Sequence, residues 1–329
     1  EDTCTGQKWS SKSTNLTSTT SNTLCDGDTG VILEQKYTEF LSDLTDNQRL
    51  WLSTNPTEEE LIKIFLYSNG FTLSSMVSSI ETIDIFIGLK NFNTTINSPN
   101  FDPINDSWLQ KLRELSKKIE YIRTHISESL ANLLIADLNL KTKIALNLVA
   151  SQFTPNVAQL TEAQKQDYFN TDGEKGIGIL LYEFANGKGP DVREFSNGSF
   201  WNEYFAGDRI NEIKSDFEKQ LNKKGLTFDQ FTANNNMIEG NNAFSPDHTG
   251  VIDSFNKHIK ANWIQFFVGG ARIEYRPTNQ VGYIDVKIIN PTSKSSFLLH
   301  VGNDYDRADY GSIPLSTIEQ YFYIRIKMR

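Results

Sequence analysis

Near the C-terminal end of the chain, His300, Asp304, Asp306 and Arg307 have the types and spacing of a reactive site. An imidazole titrates near neutral pH and is the most economical general acid or base. A carboxylate a few residues away can orient it, and a guanidinium beside them can hold an anion such as a phosphate. The same residues also fit a plainer arrangement, a strand-end histidine next to a salt-bridged loop. The chain has 4 histidines, so the other candidates are few. His248 falls in the loop-like run Ser245–Gly250, His258 on an expected helix over 252–263, and His125 beside an apolar helical stripe. Glu183 and the run Arg193-Glu194 flank a glycine-rich turn and offer a second pair of carboxylates for acid–base work.

Other chemistries lack their patterns. There is no His-Glu-x-x-His, Gly-x-Ser-x-Gly or Cys-x-x-Cys, which argues against a zinc protease and a common serine hydrolase. Lys175-Gly176-Ile177-Gly178 lacks the spacing and the Lys-Ser/Thr of a phosphate loop. Cys4 and Cys25 are the only 2 cysteines. They read either as a disulfide closing an N-terminal loop in an oxidising compartment or as two unrelated thiols. Two cysteines cannot complete a structural zinc site, so no metal is expected, and the pattern leaves any cofactor unknown.

The elements that must position these residues predict an α+β fold: an N-terminal helical region followed by a mixed domain ending in a small antiparallel β-sheet. Residues 1–30 are rich in Ser, Thr and Asn and read as a flexible arm. Residues 31–155 read as a helical domain. Asn55-Pro56 opens a helix whose apolar face is Leu61, Ile62, Phe65 and Leu66, and a second helix is expected from Thr72 to about Leu89. Trp108, Leu112, Leu115, Ile119, Ile122 and Ile126 form an amphipathic stripe. It belongs to one long helix or to a helical hairpin broken near Asn139.

Residues 156–329 read as the mixed α+β domain. Gly176–Phe184 is expected as a short strand or helix, Asn186–Pro190 as a turn, and Arg209–Gly225 as a helix capped by Asp208. Ile284, Val286 and Ile288, and again Phe322, Ile324 and Ile326, alternate with polar residues, the pattern of half-buried antiparallel strands. Arg272–Arg276 makes a third strand.

With 329 residues the chain can bury a sizeable core, and its formal charge of −9 disfavours nucleic-acid binding. No run of about 18 apolar residues is present, so no ordinary transmembrane helix is expected. The opening Glu1-Asp2-Thr3-Cys4 has no apolar signal core, so any export signal is expected to have been removed or to lie in a longer precursor.

Two stretches resemble large secreted or surface-exposed bacterial proteins that carry toxin domains at their C-termini. Leu41–Leu52, followed by Asn55-Pro56 and the helix to Asn69, resembles repeats in such proteins. Asn290, Thr292, Ser293, Ser296, His300, Arg307, Gly311, Gln320 and Tyr321 resemble the ending of polymorphic toxins of the rearrangement-hotspot class, and Ala185–Pro190 resembles a turn found upstream in them. The resemblance implies a secreted bacterial toxin effector used in interbacterial or host antagonism, delivered by a specialised secretion system beside an immunity protein. A hydrolase of unknown substrate is the leading expectation. The alternative is a non-enzymatic membrane- or receptor-binding module, pore-forming or cargo-scaffolding, whose working element is the stretch Trp108–Ile144.

Overall fold

The structure, a computed structural model, describes residues 29–102, 108–234, 236–242, 263–268, 270–297 and 305–328. The chain divides into two compact units: the residues up to Asn91 with Lys118–Leu134, and Phe92–Lys117 with Ile135–Arg329. The fold is α+β, with helices throughout the N-terminal part and a mixed sheet gathered toward the C-terminus. Among the described residues no helix is long and apolar enough to cross a membrane.

Helices α1 (Thr29–Asp43), α2 (Asp46–Thr54), α3 (Pro56–Asn69), α4 (Leu73–Ile96), α5 (Trp108–His125) and α6 (Glu128–Phe153) follow one another. A capping box starts α2: Thr45 Oγ1 accepts from the Gln48 amide, and Gln48 Oε1 accepts from the Thr45 amide. Pro56 opens α3 as expected, but Asn55 does not cap it. The Asn55 side chain donates back to the Trp51 carbonyl at 2.6 Å and closes α2 instead. In the first unit Phe40, Leu52, Ile62, Leu66 and Ile83 are buried, and Trp51 stacks on Phe86 at 5.1 Å. Full burial of such a side chain contributes about 1.5–3 kcal/mol. The expected amphipathic stripe lies on α5 from Trp108 to Ile122, with Ile126 in the turn that follows, and a second helix continues the run. The break falls at Ile126–Ser127, not near Asn139, because the Ser127 hydroxyl accepts from the Leu130 amide and starts α6.

The second unit continues with α7 (Glu162–Thr171), α8 (Gly173–Asn186), β1 (Val192–Phe195), α9 (Ser199–Tyr204), α10 (Arg209–Lys224) and α11 (Phe228–Asn234). Then come β2 (Ile238–Asn242), α12 (Trp263–Val268), β3 (Ala271–Pro277), β4 (Tyr283–Thr292), β5 (Tyr305–Asp306), α13 (Arg307–Tyr310) and β6 (Ser316–Lys327). The Gly176–Phe184 run is helical. A Cβ on Gly178 would lie 2.3 Å from Thr154 Oγ1 and 2.6 Å from the Ala150 carbonyl, so the glycine lets α8 pack closely on the end of α6. Close packing offsets the roughly 1 kcal/mol helix penalty of glycine.

Strand order in the sheet is β1-β6-β4-β3-β2, with β5 also paired to β6. The three expected strands are β3, β4 and β6. They pair antiparallel, with Ile288 between Ile273 and Phe322 and Val286 between Tyr275 and Ile324. The sheet is mixed rather than purely antiparallel, because β1 and β5 both run parallel to β6. One face carries the core. Phe322 lies 4.4 Å from Tyr204 and 5.1 Å from Phe195, and Phe195 lies 4.7 Å from Phe200, ring centre to ring centre. Such aromatic contacts add about 0.5–1.5 kcal/mol each beyond their area.

Candidate functional site

Of the residues singled out at the C-terminus, Asp306 and Arg307 lie where β5 passes into α13. His300 and Asp304 lie outside the described residues, as do His248, His258, Cys4 and Cys25. Asp306 is exposed and pairs in register with Thr317 of β6. Arg307 is 3% exposed. Its Nε donates to Ser316 Oγ at 2.9 Å, and its Nη2 to the Glu183 carbonyl at 3.0 Å. Its Nη1 donates to the carbonyls of Lys188 at 2.7 Å and of Gly189 and Pro190 at 3.2 Å. The sequence suggests an anion holder here, but the structure directs the guanidinium at protein oxygens that tie α13 to the turn after α8. Burial pulls the Arg307 pKa down, opposed by the carboxylates of Glu183 and Asp191.

The carboxylate of Glu183 lies beneath that turn, 0% exposed. Its Oε1 accepts from Lys165 Nζ at 2.7 Å and from Arg193 Nη2 at 2.6 Å, and its Oε2 accepts from Arg193 Nε at 2.8 Å. Arg193 Nη1 also reaches Glu162 Oε1 at 2.7 Å, and the guanidinium lies over the Phe169 ring at 5.1 Å. Desolvation alone would lower the Arg193 pKa, but its hydrogen bonds to Glu183 and Glu162 outweigh it and the pKa is raised. The Arg193 hydrogen bond, with the charges of Arg193 and Lys165, holds the Glu162 carboxyl below its usual value. Gly189, at φ +76°, closes the turn directly over Glu183, where a Cβ would fall 2.4 Å from Glu183 Cδ. Each charged partner is hydrogen-bonded, which is what makes burial of such a group tolerable.

The suggested acid–base use of Glu183 with Glu194 does not match this geometry. Arg193 and Glu194 are consecutive on β1 and point to opposite sheet faces. Glu194 lies on the face away from the core, where its carboxylate accepts from Tyr323 Oη at 3.0 Å. The same face carries Tyr321, whose hydroxyl donates to Glu319. Lys287 Nζ sits 3.5 Å from the Tyr321 ring centre, within cation–π range. Arg325 forks onto Asp285 at 2.6 and 3.0 Å, and Arg272 and Arg276 flank Glu274. The Glu319 contact pushes the Tyr321 pKa up to about 12, and burial with the Glu194 contact does the same to Tyr323. On this face Arg272, Arg276, Arg325 and Lys327 are exposed, whereas Glu274 and Ile289 are buried.

Two distant stretches of sequence interlock here. Arg307 joins the Ala185–Pro190 turn to Ser316. Close to Ser316 on β6, Gln320 Oε1 accepts from Asn290 Nδ2 at 2.5 Å and from Thr292 Oγ1 at 3.1 Å. Lys165 and Glu162, which complete the Glu183 cluster, had no mark in the sequence beyond their charge. Among the described residues no group of three or more His, Cys, Asp or Glu side chains is placed to hold a metal ion. Comparison of the chain with protein-family models, with curated proteins and with solved structures finds no match.

Proposed function

We propose that this chain is a secreted bacterial effector of the polymorphic-toxin type, delivered by a specialised secretion system. Its C-terminal unit acts as a hydrolase, with His300 and Asp306 as the acid–base pair to test. One observation supports the reading. The residues that resemble the toxin-type ending and those that resemble the upstream turn are far apart in sequence, yet they join through Arg307. Their contact through Arg307 supports reading the two stretches together. Arg307 is then a positioning residue that fixes the segment following His300 and Asp304.

Expression of the chain in a bacterial host, in the cytoplasm and separately in the periplasm, tests this. Growth arrest in one compartment is expected, abolished by His300→Ala and weakened by Asp306→Ala, with unchanged thermal melting. Normal growth in both compartments overturns the reading. The non-enzymatic binding module is the second reading, favoured by the open sheet face with Tyr321, Tyr323 and Lys287. Killing that survives both substitutions selects it.

A further inference from the structure

From Ile318 to Lys327, strand β6 is paired throughout on one side only, by β4. On its other side β1 pairs with Glu319–Phe322 and stops. The Trp201 indole then donates to the Tyr323 carbonyl at 2.8 Å and caps the edge at that point. Among the described residues no strand covers this side of β6 past the indole.

The register determines which backbone groups are left there. The Met328 amide donates to the Gly282 carbonyl at 2.8 Å, one position beyond the Tyr283–Lys327 pair. Bonded and non-bonded pairs alternate along an antiparallel ladder, so Ile326 and Ile324 turn their N–H and C=O groups toward β4. Arg325 and Lys327 turn theirs away from it. Two bonds fix the same phase. The Glu319 amide donates to the Asp191 carbonyl at 3.0 Å on the β1 side, and the Tyr323 carbonyl is the one that Trp201 reaches. Among the described residues no hydrogen bond reaches the outward backbone groups of Arg325 or Lys327.

A row of such groups is a template for one more strand. The side chains beside it select which strand fits. Arg325 and Lys327 are exposed on the outer face, and Ile324 and Met328 are half-buried on the inner one. Arg325 pairs with Asp285 through Nε and Nη2, and Lys327 has no ion pair among the described residues. Opposite charges on adjacent strands contribute about 0.2–1 kcal/mol per pair, and like charges directly opposite destabilise. That rule disfavours a second copy. Antiparallel registers centred on Arg325, Ile326 or Lys327 set Arg325 against itself, Arg325 against Lys327, or Lys327 against itself. The cations that keep copies apart leave the edge to a strand of opposite sign.

We propose that this edge of β6 takes an extended acidic strand of another protein, with carboxylates beside Arg325 and Lys327 and apolar residues beside Ile324 and Ile326. Fluorescence anisotropy of two labelled heptapeptides with the full chain tests it. One alternates valine with glutamate and the other valine with lysine. The glutamate peptide should bind about tenfold tighter at low salt, the gap closing as salt rises. Lys327→Glu should erase that preference. Lys327→Pro removes an N–H that points away from β4, so it should abolish binding with little change in melting temperature. If that variant does not fold, Lys327→Glu decides alone. No binding, equal binding of the two peptides, or a Lys327→Glu chain that keeps the preference overturns the proposal. So does binding that survives in a folded Lys327→Pro chain.

Discussion

Arg193 and Glu194 are chain neighbours of opposite charge, and their surroundings could hardly differ more. Arg193 points inward, is 6% exposed, and shares its guanidinium between Glu183 and Glu162. Glu194 points outward and holds a tyrosine hydroxyl at the surface. The alternation of a strand separates them, and burial does the rest. Inside, each charge is fixed by partners it cannot lose without leaving another charge stranded. Outside, similar ion pairs are screened by water and exchange partners at little cost. The inner cluster therefore helps fix where the Gly187–Pro190 turn and Arg307 sit.

The largest effect expected from breaking this contrast is at Glu183. Glu183→Ala leaves Lys165 and Arg193, 8% and 6% exposed, without the carboxylate that both of them donate to. Losing one partner of a buried ion pair costs about 3–5 kcal/mol. Urea unfolding should show a loss of that size. A loss under about 1 kcal/mol, the range of exposed pairs, would mean that the cluster is solvated and that the two faces do not differ as described.

Gly189 sharpens the same point without touching a charge. Its φ of +76° and the 2.4 Å approach of a Cβ to Glu183 Cδ make Gly189→Ala both strained and obstructed. A residue held in such a backbone region costs roughly 1–3 kcal/mol. The turn must also rise off Glu183, lengthening the Arg307 bonds to the carbonyls of Lys188 and Gly189. A melting temperature equal to the wild type's would show that the turn moves freely, and would remove the argument that Arg307 needs it in place.

The sequence reveals the outer face better than the inner one. Strands β3, β4 and β6 announce themselves because apolar and polar residues alternate wherever one face meets water. Strand β1 does not, because one of its two inward positions is an arginine, so Val192-Arg193-Glu194-Phe195 shows no apolar period. The pairing of Arg193 with Glu183 and Lys165 depends on tertiary packing and leaves no spacing to read. Arg307 stands out as a charge among charges, yet apart from Ser316 Oγ its acceptors are backbone carbonyls, and every residue has one of those. The end of α5 is hidden in the sequence for a related reason: the hydroxyl of Ser127 starts a new helix inside a run with neither Gly nor Pro.

The smallest expected effect on stability falls on the outer face, and it separates the two roles most sharply. Arg325 makes a forked pair with Asp285, the two side chains being 51% and 41% exposed. By geometry alone the pair looks as good as the bonds to Glu183. In water its loss is worth under about 1 kcal/mol, so Arg325→Ala should unfold in urea almost like the wild type. If Arg325→Ala instead lowered stability as much as Glu183→Ala, this outer pair would not be screened by solvent and the contrast between the two faces would fail.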